Sequence, residues 1–244
     1  MEIYGSLLYA AVSTRPDIAK AMTALGRFMA NPGPAHVIAI KRVLRYVAGT
    51  LDRGLEYTNK PWLVEALGNE VPPHEIINFT DSDWAGDIDT RNSTSATCTF
   101  VAGGPVSWLA KLQHIQAQSS GESEYIAMGD GAKDLMYVRN ALRELRFYPA
   151  FGPTKMLVDS SAALGIASRP GINNKTKHIA LRYHFVRHHI ADGEIAPVKC
   201  DTLLKAADVL TKAVDRKTFQ RLAPMLVKSV KRDAVTKSSG ADPV

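Results

Sequence analysis

Cysteine is nearly absent, with only Cys98 and Cys200 in 244 residues. The two lie far apart and neither has a CxxC-type companion, which excludes a disulfide framework and a thiolate zinc site and fits a reducing intracellular compartment. Long apolar runs are missing as well. The opening MEIYGSLLYAAVSTRPDIAK holds one short apolar run, without the basic flank of a signal peptide or the roughly 18 apolar residues that cross a bilayer. No membrane span is expected, and the protein should be soluble. A hydrophobic content of 45% removes disorder as a starting assumption and allows a sizeable core. Net charge is +6 and the sequence pI about 9.3. That balance favours a polyanionic partner such as nucleic acid, although ribosomal and membrane-surface proteins share it.

Residues 5–47 read as helical. Thr14 precedes Arg15-Pro16-Asp17, a cap followed by proline in the first turn. Farther on, Val37, Ile40, Val43, Leu44 and Val47 recur at helical spacing, with Lys41, Arg42 and Arg45 largely on another face. Leu55-Glu56-Tyr57 reads as a short strand or edge. Residues 59–75 carry Pro61, Gly68, Pro72 and Pro73 and read as a linker. The expected division is a helical segment at 1–58, the linker, a second domain at 76–214, and a C-terminal helix with a basic, disordered tail at 215–244.

Beyond the linker, strands are expected at 76–80, 96–102 and 105–109, with Gly103-Gly104 as the turn between the last two. A long helix over 121–146 follows, weakened in its middle by Gly129 and Gly131. A strand at 155–158, helices at 160–168 and 179–191, a strand at 195–200 and a helix at 205–212 complete the pattern. This is an α+β, mixed-sheet domain.

Four acids fall at comparable places. Asp81 and Asp159 end strands, Glu124 lies in the first turn of the long helix, and Asp208 lies in KAADVL. Sequence spacing cannot show that they converge; turn, capping and solvated roles explain each one singly. If they do converge, four carboxylates need divalent cations or strongly raised pKa values. Hard oxygen ligands without Cys or an obligatory His point to magnesium or manganese, and two such ions would serve an in-line phosphoryl displacement.

The runs FTDSDWAGDIDTRNSTSATCTFVAGGPVSWLAKLQHIQAQSSGESEYIAM, VDSSAAL, NKTKHIALRYHFVRHHIADGEI and KAADVLTKAV resemble the ribonuclease H domain of copia-type LTR-retrotransposon Pol polyproteins. The upstream YGSLLYAAVSTRPDIAKAMTALGRFMANPGPAHVIAIKRVLRYVAGTLDRGLEY resembles the segment that follows the reverse-transcriptase palm in the same polyproteins. The resemblance implies a ribonuclease H-like five-stranded mixed sheet flanked by helices. It implies two Mg2+ ions, with Mn2+ as a substitute, held by Asp81, Glu124, Asp159 and Asp208, and hydrolysis of the RNA strand of an RNA/DNA hybrid. The implied companion is the reverse-transcriptase palm of the parent polyprotein, and the implied location is a cytoplasmic virus-like particle or the nucleus. The paired aspartates of a polymerase are absent, so no polymerisation is expected from this chain alone. Between Cys200 and Asp208 there is no histidine of the kind many cellular relatives carry before the fourth acid. A methionine just upstream of a mid-polyprotein motif reads as a truncated copy or partial gene, and a noncatalytic nucleic-acid-binding fragment is the rival function. An integrase-like nuclease is a further rival, against which stands the D, E, D, D order of the acids.

The resemblance selects Glu124 over Glu122 and Asp81 over Asp83, with Asp83 a possible supporting group and Asp87 assigned to the turn into the next strand. Ser95 and Ser120, with Ser93, Thr94 and Ser119 beside them, are candidates for contacts to a hybrid's 2′-hydroxyls; capping the long helix is the equal alternative for Ser119 and Ser120. Lys177, His178, Arg182 and Arg187 offer a cationic face toward phosphates, or simply a solvated one. His184 and His188 share a helix face but lack the HExxH pattern and a third ligand. Trp84 and Trp108 suit a core or a stacking role equally.

Overall fold

The computed structural model describes residues 2–58, 63, 75–147, 152–168 and 180–229. Three helices come first: α1 (Glu2–Ser13), α2 (Ala19–Gly26), entered through a 3-10 turn at Pro16–Ile18, and α3 (Pro34–Ala48). Proline opens α3 at a position where its missing N–H costs nothing, and the Gly33 N–H donates to His36 Nδ1 at 2.9 Å. Leu7, Ala11, Ile18 and Met22 form this segment's own small core. Beside it, Arg15 reaches Asp17 with two donors at 2.9 and 2.8 Å, and Tyr46 Oη donates to the same carboxylate at 2.6 Å.

The remaining elements are β1 (Arg53–Gly54), β2 (Ile77–Asp83), β3 (Thr94–Val101), β4 (Gly104–Leu112), α4 (Ser120–Glu144), β5 (Thr154–Val158), α5 (Ser161–Ser168), α6 (Ala180–Ala191), β6 (Ile195–Lys199), α7 (Asp208–Thr211), α8 (Arg216–Leu226) and β7 (Lys228–Ser229). Five strands make one mixed sheet in the order β4-β3-β2-β5-β6. The β2/β3 and β3/β4 pairs are antiparallel, and β2/β5 and β5/β6 are parallel. The expected five-stranded mixed sheet flanked by helices is therefore present.

Strand parity sorts the core into two layers. Ile77 and Phe79 on β2, Ala96, Cys98 and Phe100 on β3, and Leu157 on β5 face one side, where they meet Leu210, Leu222 and Leu226. Met156 and Val158 face the other side, with Tyr125, Ile126, Met128 and Leu135 of α4. Asn78 and Thr80 share that second face, and α4 runs over them because Gly131 has no side chain. A Cβ at Gly131 would lie 2.2 Å from Thr80 Cγ2 and 2.8 Å from Asn78 Oδ1. The glycine expected to weaken the helix is what lets it lie close to the sheet.

Four expectations change. The β3/β4 turn is Ala102-Gly103, both with positive φ (50° and 71°), and Gly104 already pairs with Val101; two positive φ values match a two-residue hairpin turn. Leu55–Tyr57 is not a strand; Arg53 and Gly54 pair instead with Ser229 and Lys228, so the tail expected to be disordered begins as a strand. The helix expected at 205–212 is a 3-10 turn at Thr202–Leu204, an extended Lys205 (φ −81°, ψ 91°) and only one helical turn from Asp208. The helical segment does not stand apart. Ala19 belongs to the cluster around Phe79, Trp108 Nε1 donates to Ala11 O at 2.8 Å, and Thr23 Oγ1 donates to Ala110 O at 3.0 Å. Most of the expected linker at 59–75 lies outside the described residues.

Candidate active site

Asp81 follows Ile77 and Phe79 by strand parity, so its carboxylate emerges on the side of α7. Asp159 leaves the end of β5 on the same side, one strand over. Glu124 sits in the first turns of α4, which starts where the Ser119 hydroxyl accepts from the Glu122 N–H at 3.2 Å. Asp208 opens α7. Oxygens of Asp81, Asp159 and Asp208 lie within 4.8 Å of one another.

At the centre of these acids is Lys205, a residue that sequence reasoning passed over. Its side chain has no exposed surface, and its Nζ donates to Asp81 Oδ1, pairs with Asp159 Oδ1 at 2.6 Å and lies 3.8 Å from Glu124 Oε1. One ammonium thus reaches three of the four expected acids. Thr211 Oγ1 donates to Asp81 Oδ2, and Lys212 Nζ meets Asp208 Oδ2 at 3.0 Å. The only advance signal for Lys205 was its place in LLKAADVL, where it and Asp208 are the two charged residues among apolar ones.

Burial sets the electrostatics. It pushes the Glu124 carboxyl up to about 8, and the attraction of Lys205 only partly offsets that against the further push of Asp81 and Asp159. Asp208 rises to about 6, from burial first and then from Asp81. Burial alone would lower Lys205, yet Asp81, Glu124 and Asp159 hold its ammonium above the ordinary lysine value. Two buried carboxylate oxygens, Glu124 Oε2 and Asp208 Oδ1, have no hydrogen-bond partner among the described residues. An all-oxygen donor set with unsatisfied lone pairs fits a hard divalent cation such as magnesium or manganese.

The neighbouring acids have other duties. Glu122 accepts from the Gln118 N–H at 2.8 Å at the helix start. Asp87 closes the turn after β2, accepting from the Thr90 N–H at 2.9 Å and from Arg27. Asp83 is half-buried at the end of β2, where it lines a cleft of about 640 Å³ with Lys20, Arg27, Phe28 and Lys212. Burial raises its pKa and lowers that of Lys20.

Of the expected nucleic-acid contacts Ser95, Ser120, Lys177, His178 and Arg182, only the two serines have described side chains. Ser95 has no exposed surface, and its hydroxyl accepts from Gln113 Nε2 at 2.8 Å within the sheet. Ser120 is exposed at the start of α4. Lys177 and His178 lie outside the described residues, and Arg182 lies in α6 with its side chain outside them. Arg187 of the same helix donates to Ile166 O at 2.8 Å. His188 pairs with Asp192 at 3.3 Å. Trp84 Nε1 donates to Ala117 O at 3.1 Å with half its surface exposed.

No protein-family model matches the chain. Curated relatives do. The chain is 37% identical over 216 residues to the retrovirus-related Pol polyprotein from transposon TNT 1-94 of Nicotiana tabacum, a match covering 88% of this chain and 15% of the polyprotein. It is 35% identical over 221 residues to the corresponding polyprotein from transposon RE2 of Arabidopsis thaliana, covering 91% and 14%.

The chain is thus a homologue of copia-type transposon Pol polyproteins over about 90% of its own length.

The chain spans about 15% of the length of those polyproteins. It is also 37% identical over 134 residues to the secreted RxLR effector protein 161 of Plasmopara viticola, covering 55% of this chain and 87% of that protein. Solved structures similar to the chain include LC11-RNase H1 in complex with an RNA/DNA hybrid, with 13% identity, a TM-score of 0.42, and coverage of 56% and 94%. The N-terminal RNase H domain of rv2228c from Mycobacterium tuberculosis matches with 10% identity, a TM-score of 0.40, and coverage of 62% and 96%.

Proposed function

We propose that this segment is a divalent-metal-dependent endonuclease that hydrolyses the RNA strand of RNA/DNA hybrids during retrotransposon reverse transcription. The observation that supports this reading is the gathering of Asp81, Asp159 and Asp208 within 4.8 Å of one another, with Glu124 brought beside them through the shared Lys205 and two carboxylate oxygens left without a hydrogen-bond partner among the described residues. These four are the residues that would hold Mg2+, or Mn2+ in its place. Bound there, such an ion supplies Lewis-acid stabilisation of the negative charge that builds on a phosphate under attack.

The rest follows from the protein's own groups. Thr211 fixes one oxygen of Asp81, and Lys212 fixes one oxygen of Asp208. The cleft beside Asp83 brings Lys20, Arg27 and Lys212 to the rim of the site, where cations suit a phosphate backbone without reading sequence. The proposed catalytic unit is residues 76–214, with Lys20 and Arg27 of the helical segment completing its rim. The helical segment 1–58 would connect it to the reverse-transcriptase palm of the parent polyprotein, within a cytoplasmic virus-like particle or the nucleus. No polymerisation is proposed for this segment.

The test is incubation with Mg2+ and a labelled RNA/DNA hybrid, single-stranded RNA or duplex DNA, with Asp159→Asn as control. Hybrid-selective cleavage lost in the variant is expected. Binding of hybrid without cleavage at any Mg2+ or Mn2+ concentration would favour the noncatalytic fragment instead.

A further inference from the structure

Lysine is almost never fully buried without charged partners, and Lys205 is fully buried against three of them. Two roles are open to such a group: a temporary counter-ion that leaves when metal arrives, or a permanent member of the site. The surroundings favour permanence. Lys205 is immediately followed by Ala206 and Ala207, neither with any exposed surface, and its carbonyl accepts from the Asp208 N–H at 3.2 Å. Ala206, Ala207 and Cys200 belong to the apolar cluster on this face of the sheet. An ammonium withdrawn from the carboxylates would therefore move toward apolar groups that cannot solvate it.

The charge balance agrees. Once metal binding strips their protons, the four carboxylates would face two ammonium groups, Lys205 among Asp81, Glu124 and Asp159, and Lys212 on Asp208. What remains is the charge that one divalent ion neutralises. A second ion would sit beside a buried ammonium with no further carboxylate to compensate it.

We infer that Lys205 takes the place of one cation of a two-ion site, so that the cluster binds a single divalent ion among Asp81, Asp159 and Asp208 while the Lys205 ammonium stays beside Glu124. This rests on the proposal that the cluster holds a divalent metal, and it departs from the two ions that the family resemblance implies. Lys205 is thereby a positioning residue, fixing the number of ions and the orientation of Glu124 and Asp159.

The test counts bound Mn2+ on the full chain by titration calorimetry and electron paramagnetic resonance, in wild type, Lys205→Met and Asp208→Asn. Wild type should bind one ion per chain, Lys205→Met two, and Asp208→Asn none or one much more weakly. Because Lys205→Met leaves carboxylates without a counter-ion, its thermal unfolding is followed as well; it should melt lower than wild type without metal and recover most of the difference with Mn2+. Two ions in wild type would overturn the inference, whether or not the methionine variant folds. No ion in wild type but two in Lys205→Met would also overturn it, making the lysine a block. No ion in any variant would overturn the metal-dependent reading itself.

Discussion

Raising the pH of the metal-free protein should weaken it, and Glu124 is the main reason. Its carboxyl is pushed from 4.5 up to about 8, by burial first and by Asp81 and Asp159 next. A raised carboxyl pKa means that the folded state holds a proton which the unfolded chain has already lost, so stability falls as pH climbs from about 4.5 to about 8. Each pKa unit corresponds to about 1.4 kcal/mol, which gives at most ~5 kcal/mol for this group. Asp208, raised to about 6, acts in the same direction lower in the range. Both respond to Asp81, so the two effects do not simply add. For a chain of this size ~3–5 kcal/mol corresponds to a loss of roughly 6–20 °C in Tm. The assay is thermal unfolding in EDTA at pH 5, 6, 7 and 8, repeated with 10-fold-varied Mg2+ and with Glu124→Gln. Wild type should lose stability with rising pH in EDTA and regain it with Mg2+, and Glu124→Gln should remove most of the pH dependence. A flat profile in EDTA, or an unchanged slope in Glu124→Gln, would refute the reasoning.

Gly131→Ala should cost about 1–3 kcal/mol in urea unfolding, since the new Cβ would lie 2.2 Å from Thr80 Cγ2 and force α4 off the sheet. Asp17→Asn should destabilise by ~3 kcal/mol or more by leaving the buried Arg15 without its carboxylate, and amide exchange should show the loss concentrated in α1 to α3. Trp108→Phe removes the indole bond to Ala11 O, and a loss of about 1 kcal/mol with hybrid cleavage unchanged is the expected result. Lys20→Gln at the rim should weaken hybrid binding uniformly across sequences and flatten its salt dependence, as measured by fluorescence anisotropy at several ionic strengths.

Much of the sheet was legible because its strands are short apolar runs bounded by turn residues, and α4 because its apolar residues recur over seven turns. The strand ends were not. Hydrophobic runs stop near Thr80, whereas pairing with β3 carries β2 on through Asp81 and Asp83. The pairing of Arg53 and Gly54 with Ser229 and Lys228 joins residues from opposite sides of the whole mixed-sheet region, and nothing local signals it. Around the site, the four acids could be named singly from their motifs, while their meeting depends on β2 and β5 being neighbours in the sheet and on α7 packing beneath them. Lys205 was invisible for a related reason. Local pattern reading treats a lysine as a solvated group, and only the three-dimensional arrangement shows that carboxylates surround it.

Cleavage of a hybrid whose RNA and DNA strands carry different labels, in Mg2+, tests the central claim most directly. Wild type should shorten only the RNA strand, leaving 3′-hydroxyl ends, and Asp81→Asn should leave both strands intact while remaining folded. Equal cutting of both strands, or undiminished cutting by Asp81→Asn, would contradict a hybrid-specific nuclease site built on Asp81, Glu124, Asp159 and Asp208.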